Sequence, residues 1–98
     1  MLVKVFPIKL QDGKQAEAEA LVEQFARRGP ELERGTLSFR VYRDPQNVDY
    51  LLFVEHFADE AAYHDHVTSA AYGELIAGRF AELIVEFVEI DHELLASV

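Results

Sequence analysis

The fold is decided by residues 36–57, whose sequence is TLSFRVYRDPQNVDYLLFVEHF. Side chains alternate from residue 36 to residue 44, which is typical of a strand that covers a core with one of its faces. One face carries Leu37, Phe39 and Val41, and the other carries Thr36, Ser38, Arg40 and Tyr42. Residues 44–47, Asp-Pro-Gln-Asn, favour a turn, and an apolar run follows over residues 48–57. The stretch therefore predicts a β-hairpin with a longer loop.

The residues before the hairpin predict one strand and one helix. Residues 2–10 are rich in β-branched side chains and predict a strand. Asp12-Gly13 marks a turn, and residues 14–28 predict a helix, because an apolar stripe recurs at helical spacing. The stripe consists of Ala18, Leu21, Val22 and Phe25. Gly29-Pro30 is expected to end or kink this helix, and Gly35 to close the link to the hairpin.

The residues after the hairpin predict two helical segments and a last strand. Asp59 is a suitable N-cap for a short helix that ends at Val67. A second helix is expected from Thr68 or Ser69 to about Phe80, and a strand over residues 83–92. The order β-α-β-β-α-β predicts an α+β fold of the ferredoxin-like kind with an antiparallel sheet.

Length and composition limit the classes of function. The 98 residues (1–98) correspond to a single domain, with 9 Lys+Arg against 18 Asp+Glu and a net charge of −9. This balance argues against nucleic-acid binding and against binding to an anionic membrane. The absence of cysteine excludes disulfides, thiolate nucleophiles and cysteine-bound metals. No targeting signal or membrane span is apparent, so a cytoplasmic location is expected.

The strands carry apolar side chains on both faces, which predicts a homodimer. Leu51 and Phe53 oppose Leu52 and Val54 on the third predicted strand. The last predicted strand shows the same pattern over residues 84–88. Two helices can cover one face of a four-stranded sheet, so a second copy of the chain is expected to cover the other.

Several segments resemble the antibiotic biosynthesis monooxygenase (ABM) family. They are residues 33–44 (ERGTLSFRVYRD), 53–57 (FVEHF), 59–61 (DEA), His66 and 69–72 (SAAY), in the family's order and at similar spacing. The resemblance implies a dimeric α/β barrel. Members of the family differ in chemistry: some oxygenate quinols or polyketide anthrones without metal or flavin, some isomerise small phosphorylated signals, some bind and degrade haem, and others have no known activity. The resemblance therefore implies no single reaction. Arg34 departs from the proline that is common in the family, and Ala70-Ala71 departs from its Pro-His.

Candidate site residues follow from what a cofactor-free oxygenase needs: a base, an oxyanion donor and a dry aromatic pocket. His66, Tyr72 and Arg40 are the catalytic candidates, and Glu55, Ser38 and Tyr42 are the substrate-binding candidates. Each has a structural alternative: core packing for His66 and Tyr72, and an ion pair within the protein for Arg40 and Glu55.

The sequence leaves the facing of two candidates open. Glu55 and His56 must face opposite sides of one strand, but both sides of that strand are apolar. If Phe39 faces the helices, then Arg40, Ser38 and Tyr42 face the barrel interior or the dimer interface. Arg40 would there need a partner such as Glu55, Glu86 or a substrate oxygen.

Metal and haem chemistry are disfavoured. His64 and His66 are two residues apart on a predicted helix, so their imidazoles diverge and no metal site is predicted. Haem-degrading relatives resemble one another in a pocket tryptophan and a histidine in the helix after the Ser-x-x-aromatic element. This chain has no tryptophan, and its residues 72–80 contain no histidine. Two hypotheses remain: a cofactor-independent monooxygenase, or a non-catalytic ligand-binding or regulatory dimer.

Overall fold

The computed structural model describes residues 1–29 and 34–98. Its elements in chain order are β1 (Leu2–Leu10), α1 (Gln15–Arg27), β2 (Thr36–Arg43), β3 (Tyr50–Phe57), α2 (Glu60–Val67), a π-helical segment (Tyr72–Ala77), a 3₁₀ helix (Phe80–Leu83), β4 (Ile84–Phe87) and β5 (Ile90–Glu93). The predicted α+β, ferredoxin-like arrangement is confirmed. Pro30 and Glu33, which the sequence analysis invoked, lie outside the described residues.

The sheet is antiparallel, with β1 at its centre and the hairpin β2–β3 along one side. β3 pairs with β1 over its whole length, and β2 pairs with the other edge of β3. On the far side of β1, β4 pairs with residues 8–10 and β5 with residues 2–5. The two short strands β4 and β5 thus occupy the edge of β1 along which a single long strand was expected.

The prediction of one last strand over residues 83–92 was too simple. The strand is interrupted at Val88 and Glu89, although the Val88 amide still donates a 3.2 Å hydrogen bond to the Pro7 carbonyl of β1. The pairing of β1 with β4 also shifts register between Lys9 and Leu10. At the break, the Glu89 carboxylate lies 3.0 Å from the Lys4 Nζ atom. A buried lysine side chain thus draws this part of the backbone towards itself.

The core lies between the sheet and the helical segments. The predicted stripe of α1 faces the sheet, with Ala18, Leu21 and Phe25 buried. The full buried cluster consists of Ile8, Leu10, Ala18, Leu21, Phe25, Leu51, Phe53, Ala71, Leu75, Phe80 and Leu83. Phe39 meets Phe25 edge to face, with 5.0 Å between ring centroids. The helix-facing side of β2 is therefore the side of Phe39, the assignment that the sequence left open.

Leu37 departs from this pattern. A register shift between Thr36 and Ser38 interrupts the pairing of β2 with β3. Such a bulge leaves one residue without a cross-strand partner and reorients the side chain. Leu37 is accordingly exposed.

Two glycines and one cap fix the connections. Gly13 has a φ of +78°, in the left-handed region that glycine adopts readily. At Gly35, a Cβ atom would lie 2.3 Å from the Ala62 Cβ atom, so this position has no room for a side chain. The predicted N-cap is confirmed, because the Asp59 carboxylate accepts a 2.9 Å hydrogen bond from the Ala62 amide.

The helix expected over residues 69–80 takes a different form. After one turn at Ala70 and Ala71 the chain continues as the π-helical segment, and then as the 3₁₀ helix. Ser69 organises the start, since its hydroxyl donates to the His66 carbonyl at 2.9 Å and accepts from the Tyr72 amide at 3.2 Å. π-Helical turns often occur at functional sites.

The sheet face that carries no helix presents apolar side chains to solvent. Exposed side chains on it include Tyr42, Leu52 and Ile90, in rows set by the strand register. We call this surface the open face. Within the described ranges, no helix combines the length and apolar character needed to cross a membrane.

Candidate functional site

A cavity of about 130 Å³ lies between the helix-facing side of the sheet and the π-helical segment. Six aromatic side chains line it: Phe6, Phe39, Phe53, Tyr72, Phe80 and Phe87. Glu55 and His66 lie among them and bring a carboxylate and an imidazole to the cavity. An apolar cavity with a few convergent polar groups is typical of a small-molecule site.

Glu55 reaches the cavity through the alternation of β3. Leu51, Phe53, Glu55 and Phe57 are all buried and face the helices. Glu55 is 4% exposed, so its carboxylate occupies a position that the pattern would give to an apolar side chain. Glu55 therefore faces the cavity. His56 lies on the open face, with Ser38 as its register partner.

His66 projects from the last turn of α2 and is 1% exposed. Its ring is held by aromatic neighbours, with centroids at 5.0 Å from Phe57, 5.4 Å from Tyr72 and 5.5 Å from Phe25. The imidazole is thus held rigidly by aromatic packing at the cavity.

The carboxylate and the imidazole meet at the buried end of the cavity. The Nε2 atom of His66 lies 3.2 Å from the Oε1 atom of Glu55. At this separation the two side chains form an ion pair when the imidazole is protonated. We call these two residues the Glu55–His66 pair.

Tyr72 adds a hydroxyl-bearing ring to the wall. Burial raises the pKa of the Tyr72 phenol, and the negative charges of Glu55 and Glu89 raise it further. The phenol therefore keeps its proton over the neutral and mildly alkaline range, which leaves it able to donate a hydrogen bond.

A second charged cluster lies at the Lys4 end of β1. The Lys4 Nζ atom is 3.0 Å from Glu89 and 2.7 Å from Asp91, and it lies 4.3 Å from the centroid of the Tyr63 ring. Burial alone lowers the pKa of Lys4, but bonds and charges from Asp91 and Glu89 outweigh it and raise the net pKa. This cluster joins β1 to β5.

The match to a family model covers most of the chain. The model described as "Antibiotic biosynthesis monooxygenase" matches residues 1–78, which is 78 of the 98 residues. The chain belongs to the antibiotic biosynthesis monooxygenase family. The expectation drawn from the resemblance is confirmed at the level of the family.

Solved structures show that this ABM domain shares its fold with bacterial proteins that carry the family name. One from B. thetaiotaomicron has a TM-score of 0.88 at 21% identity, with 97% of this chain and 90% of that chain covered. One from Nitrosomonas europaea has a TM-score of 0.87 at 12% identity, covering 98% and 100%. One from Deinococcus radiodurans has a TM-score of 0.80 at 18% identity, covering 100% and 96%.

At identities this low, the likeness establishes the fold and leaves the substrate open. No curated protein matches the sequence significantly. The chemistry of the ABM domain therefore depends on the residues of its own cavity.

Three of the six candidate residues meet at the cavity. Glu55, His66 and Tyr72 line it. Arg40, Ser38 and Tyr42 lie on the open face, where their register partners on β3 are Val54, His56 and Leu52. The alternation of β2 accounts for this separation, because Phe39 and Val41 occupy the helix-facing side.

The aromatic wall was not predicted as part of the site. Phe39, Phe53 and Phe80 line the cavity beside the polar pair. A signal for Phe53 existed, because residues two apart on a strand share a face and Phe53 therefore accompanies Glu55. Phe80 carried no such signal, since its position depends on the π-helical segment before it.

The polar groups of the cavity do not form a metal-binding set. Across residues 1–29 and 34–98, no three His, Asp or Glu side chains are grouped so as to hold a metal ion. What the arrangement offers is a carboxylate and an imidazole at the inner end of an aromatic chamber.

Proposed function

We propose that this ABM domain is a cofactor-independent monooxygenase that acts on a small aromatic, quinol-like substrate. The observation that carries the proposal is the Glu55–His66 pair, 3.2 Å apart and buried at the inner end of an aromatic cavity. A buried carboxylate beside a buried imidazole rarely adds net stability over apolar packing. Its place beside a cavity therefore favours a role in proton transfer.

The proposed reaction uses O2 as co-reactant and converts a quinol to a hydroxyquinone and water. The Glu55–His66 pair takes the proton of a substrate hydroxyl, and the resulting anion is electron-rich enough to pass one electron to O2. The two radicals then combine, so a bond forms between a ring carbon and oxygen. After protonation this is a hydroperoxide.

The second half of the reaction releases water. The ring carbon loses its hydrogen as a proton, the O–O bond breaks, and the outer oxygen leaves as water after it gains a proton. One oxygen atom stays on the ring. The substrate has then lost four electrons, and O2 has gained four. Tyr72, as a neutral phenol, is placed to donate a hydrogen bond to the oxygen that carries negative charge.

The test is O2 uptake with hydroquinone and methylhydroquinone, corrected for spontaneous oxidation. The isosteric change Glu55→Gln and the change His66→Ala are expected to lower kcat/KM by about 100-fold or more, the usual contribution of a general base. His64→Ala is the matched control, because His64 lies on the same helix and is exposed. If both variants oxidise the quinols at the wild-type rate, the pair is not the base.

The alternative function has its own outcome in this experiment. A non-catalytic ligand-binding or regulatory domain would bind the quinol and show no O2 uptake above the spontaneous rate. Circular dichroism of each variant separates a loss of activity from a loss of fold.

We also propose that the domain works as a homodimer joined through the open face. Exposed Tyr42, Leu52 and Ile90 supply apolar surface there, and such surface on a small domain commonly marks an interface. Arg40 and Ser38 lie on the same face, so we assign them, with Tyr42, to the contact between copies. Arg40 would pair across it with an acidic group such as Glu86, which shares the face.

A further inference from the structure

We infer that the cavity selects neutral ligands with a single six-membered aromatic ring and rejects fused two-ring quinols. The inference rests on the proposed function, because it names the substrate class of the same site. Its main support is size. The cavity volume is about 130 Å³, and an engineered apolar cavity of about 150 Å³ is known to hold benzene. A ligand with two fused rings has more than one and a half times as many ring carbon atoms as a ligand with one ring.

The walls of the cavity cannot retreat easily to admit a larger ligand. Phe53 and Phe80 are buried, and their ring centroids are 5.4 Å apart. Phe53 also meets Phe39 edge to face at 5.8 Å, and Phe39 in turn meets Phe25 of the core. Because this chain of rings is close-packed, widening the cavity would displace several core side chains together.

The burial of the lining residues gives the ligand a direction. Glu55 and His66 are nearly inaccessible, whereas Phe87 at the edge of the cavity is 57% exposed. A ring therefore enters past Phe87 with one hydroxyl leading towards the Glu55–His66 pair.

Charge restricts the ligand further. The inner end holds the carboxylate of Glu55, and the domain as a whole carries a net charge of −9. Both repel anions, and apart from His66 the rest of the wall is aromatic or aliphatic. Neutral phenols and hydroquinones fit this setting, while aromatic carboxylates and phosphates do not.

Ile76 is the residue through which size selection can be changed with least damage to the core. It lines the cavity from the π-helical segment and is partly buried. Ile76→Ala is expected to lengthen the chamber towards the entrance. Leu37→Ala is the matched control, since Leu37 is an exposed aliphatic side chain that does not line this cavity.

The experiment measures binding of 4-methylphenol, 2-naphthol and 4-methylbenzoate by NMR, using the methyl signals of Ile8, Ile76 and Ile84, which line the cavity. For the wild type, 4-methylphenol is expected to shift these signals saturably. Binding of 2-naphthol should be weaker by about tenfold or more, a discrimination typical of apolar pockets. Ile76→Ala should narrow this ratio, and Leu37→Ala should leave it unchanged.

Binding of 2-naphthol as tight as that of 4-methylphenol, or no cavity shift with either, would overturn the inference. So would binding of the benzoate as tight as that of the phenol. The proposed function fails separately, when 4-methylphenol binds in the cavity but hydroquinones give no enzymatic O2 uptake. Turnover of a naphthohydroquinone as efficient as that of hydroquinone would contradict the size limit without contradicting the monooxygenase proposal.

Discussion

At the scale of single residues, the polar groups of the core have different tasks. The Glu55–His66 pair interrupts an apolar wall and contacts the cavity. Lys4, equally inaccessible, contacts Glu89 and Asp91 at the other end of the same side of the sheet. Its partners are half exposed, so they keep part of their hydration. The Lys4 cluster thus has a structural explanation, because it joins two strands. The Glu55–His66 pair joins no strands in this way and needs another explanation.

The Lys4 cluster leads to a prediction about alkaline stability. Burial raises the pKa of the neighbouring Tyr63 to about 12, and the charge of Glu89 adds to the effect. The unfolded tyrosine titrates near pH 10. Between these values the folded state holds a proton that the unfolded state has lost, so stability is complete below about pH 10 and falls as pH rises towards 12. Lys4, whose pKa is also raised, acts in the same direction.

Tyr63→Phe removes the tyrosine part of this dependence. Urea unfolding at pH 8, 10 and 11 should show a shallower loss of unfolding free energy for Tyr63→Phe than for the wild type. Tyr50→Phe controls for the loss of one phenol elsewhere. Equal slopes for the wild type and Tyr63→Phe would contradict the assignment to Tyr63.

At the scale of elements, the connection before β2 and the start of α2 depend on one close approach. The Cβ atom absent from Gly35 would lie 2.3 Å from the Ala62 Cβ atom and 3.2 Å from its Cα atom. A side chain at position 35 would therefore force the backbone of α2 away from the hairpin. Since α2 carries His66, the displacement reaches the cavity.

Gly35→Ala is therefore expected to lower the free energy of unfolding by about 1–3 kcal/mol, the usual cost of overpacking. It should also weaken binding of 4-methylphenol. Gly29→Ala is the matched control, because nothing lies within 4 Å of a Cβ atom there, and it should change stability by about 1 kcal/mol or less. Urea unfolding of both variants makes the comparison. A Gly35→Ala protein as stable as Gly29→Ala would show that α2 can shift freely.

Elements also mark where prediction from the sequence succeeded and failed. The alternation of β2 predicted which side chains share a face, and the stripe of α1 predicted its buried face, because each pattern depends on residues within one element. The Asp59 cap followed from local chemistry in the same way. The division of the last strand did not, since it arises where the Lys4 side chain meets Glu89, far away in the sequence.

The candidate site was predicted in part for the same reason. Glu55, His66 and Tyr72 were identified, but the facing of Glu55 required knowledge of which sheet side the helices cover. Arg40, Ser38 and Tyr42 share one face of β2. The sequence did not decide whether that face lines the barrel interior or the dimer interface. The π-helical segment has no signature in residues 72–77 that distinguishes it from an α-helix, and it places Ile76 and Phe80 at the cavity.

At the scale of the whole molecule, the open face leads to a prediction about assembly. The chain has a mass of 11.2 kDa, so a homodimer has twice that value, 22.4 kDa. Sedimentation at micromolar concentration should give the dimer mass. Added salt should strengthen the association, because it screens the repulsion between two chains of charge −9 each.

Leu52→Glu places a charge at the centre of the open face and is expected to give an 11.2 kDa species. Val48→Glu, in the loop between β2 and β3, is the matched control, because Val48 is also exposed but lies outside the strands. A wild-type protein that sediments as a monomer would refute the dimer. A dimer in both variants would place the interface elsewhere.

The division between β4 and β5 has a consequence for aggregation. A long, continuous strand at the border of a sheet offers free amide and carbonyl groups to which other chains can add, as in fibril growth. Here that border consists of two four-residue strands, and the second, Ile90–Glu93, carries Asp91 and Glu93. Short and charged strands are poor templates for such addition. The ion pairs that draw Glu89 and Asp91 to Lys4 therefore also help to keep a concentrated solution of this protein free of edge-to-edge polymers.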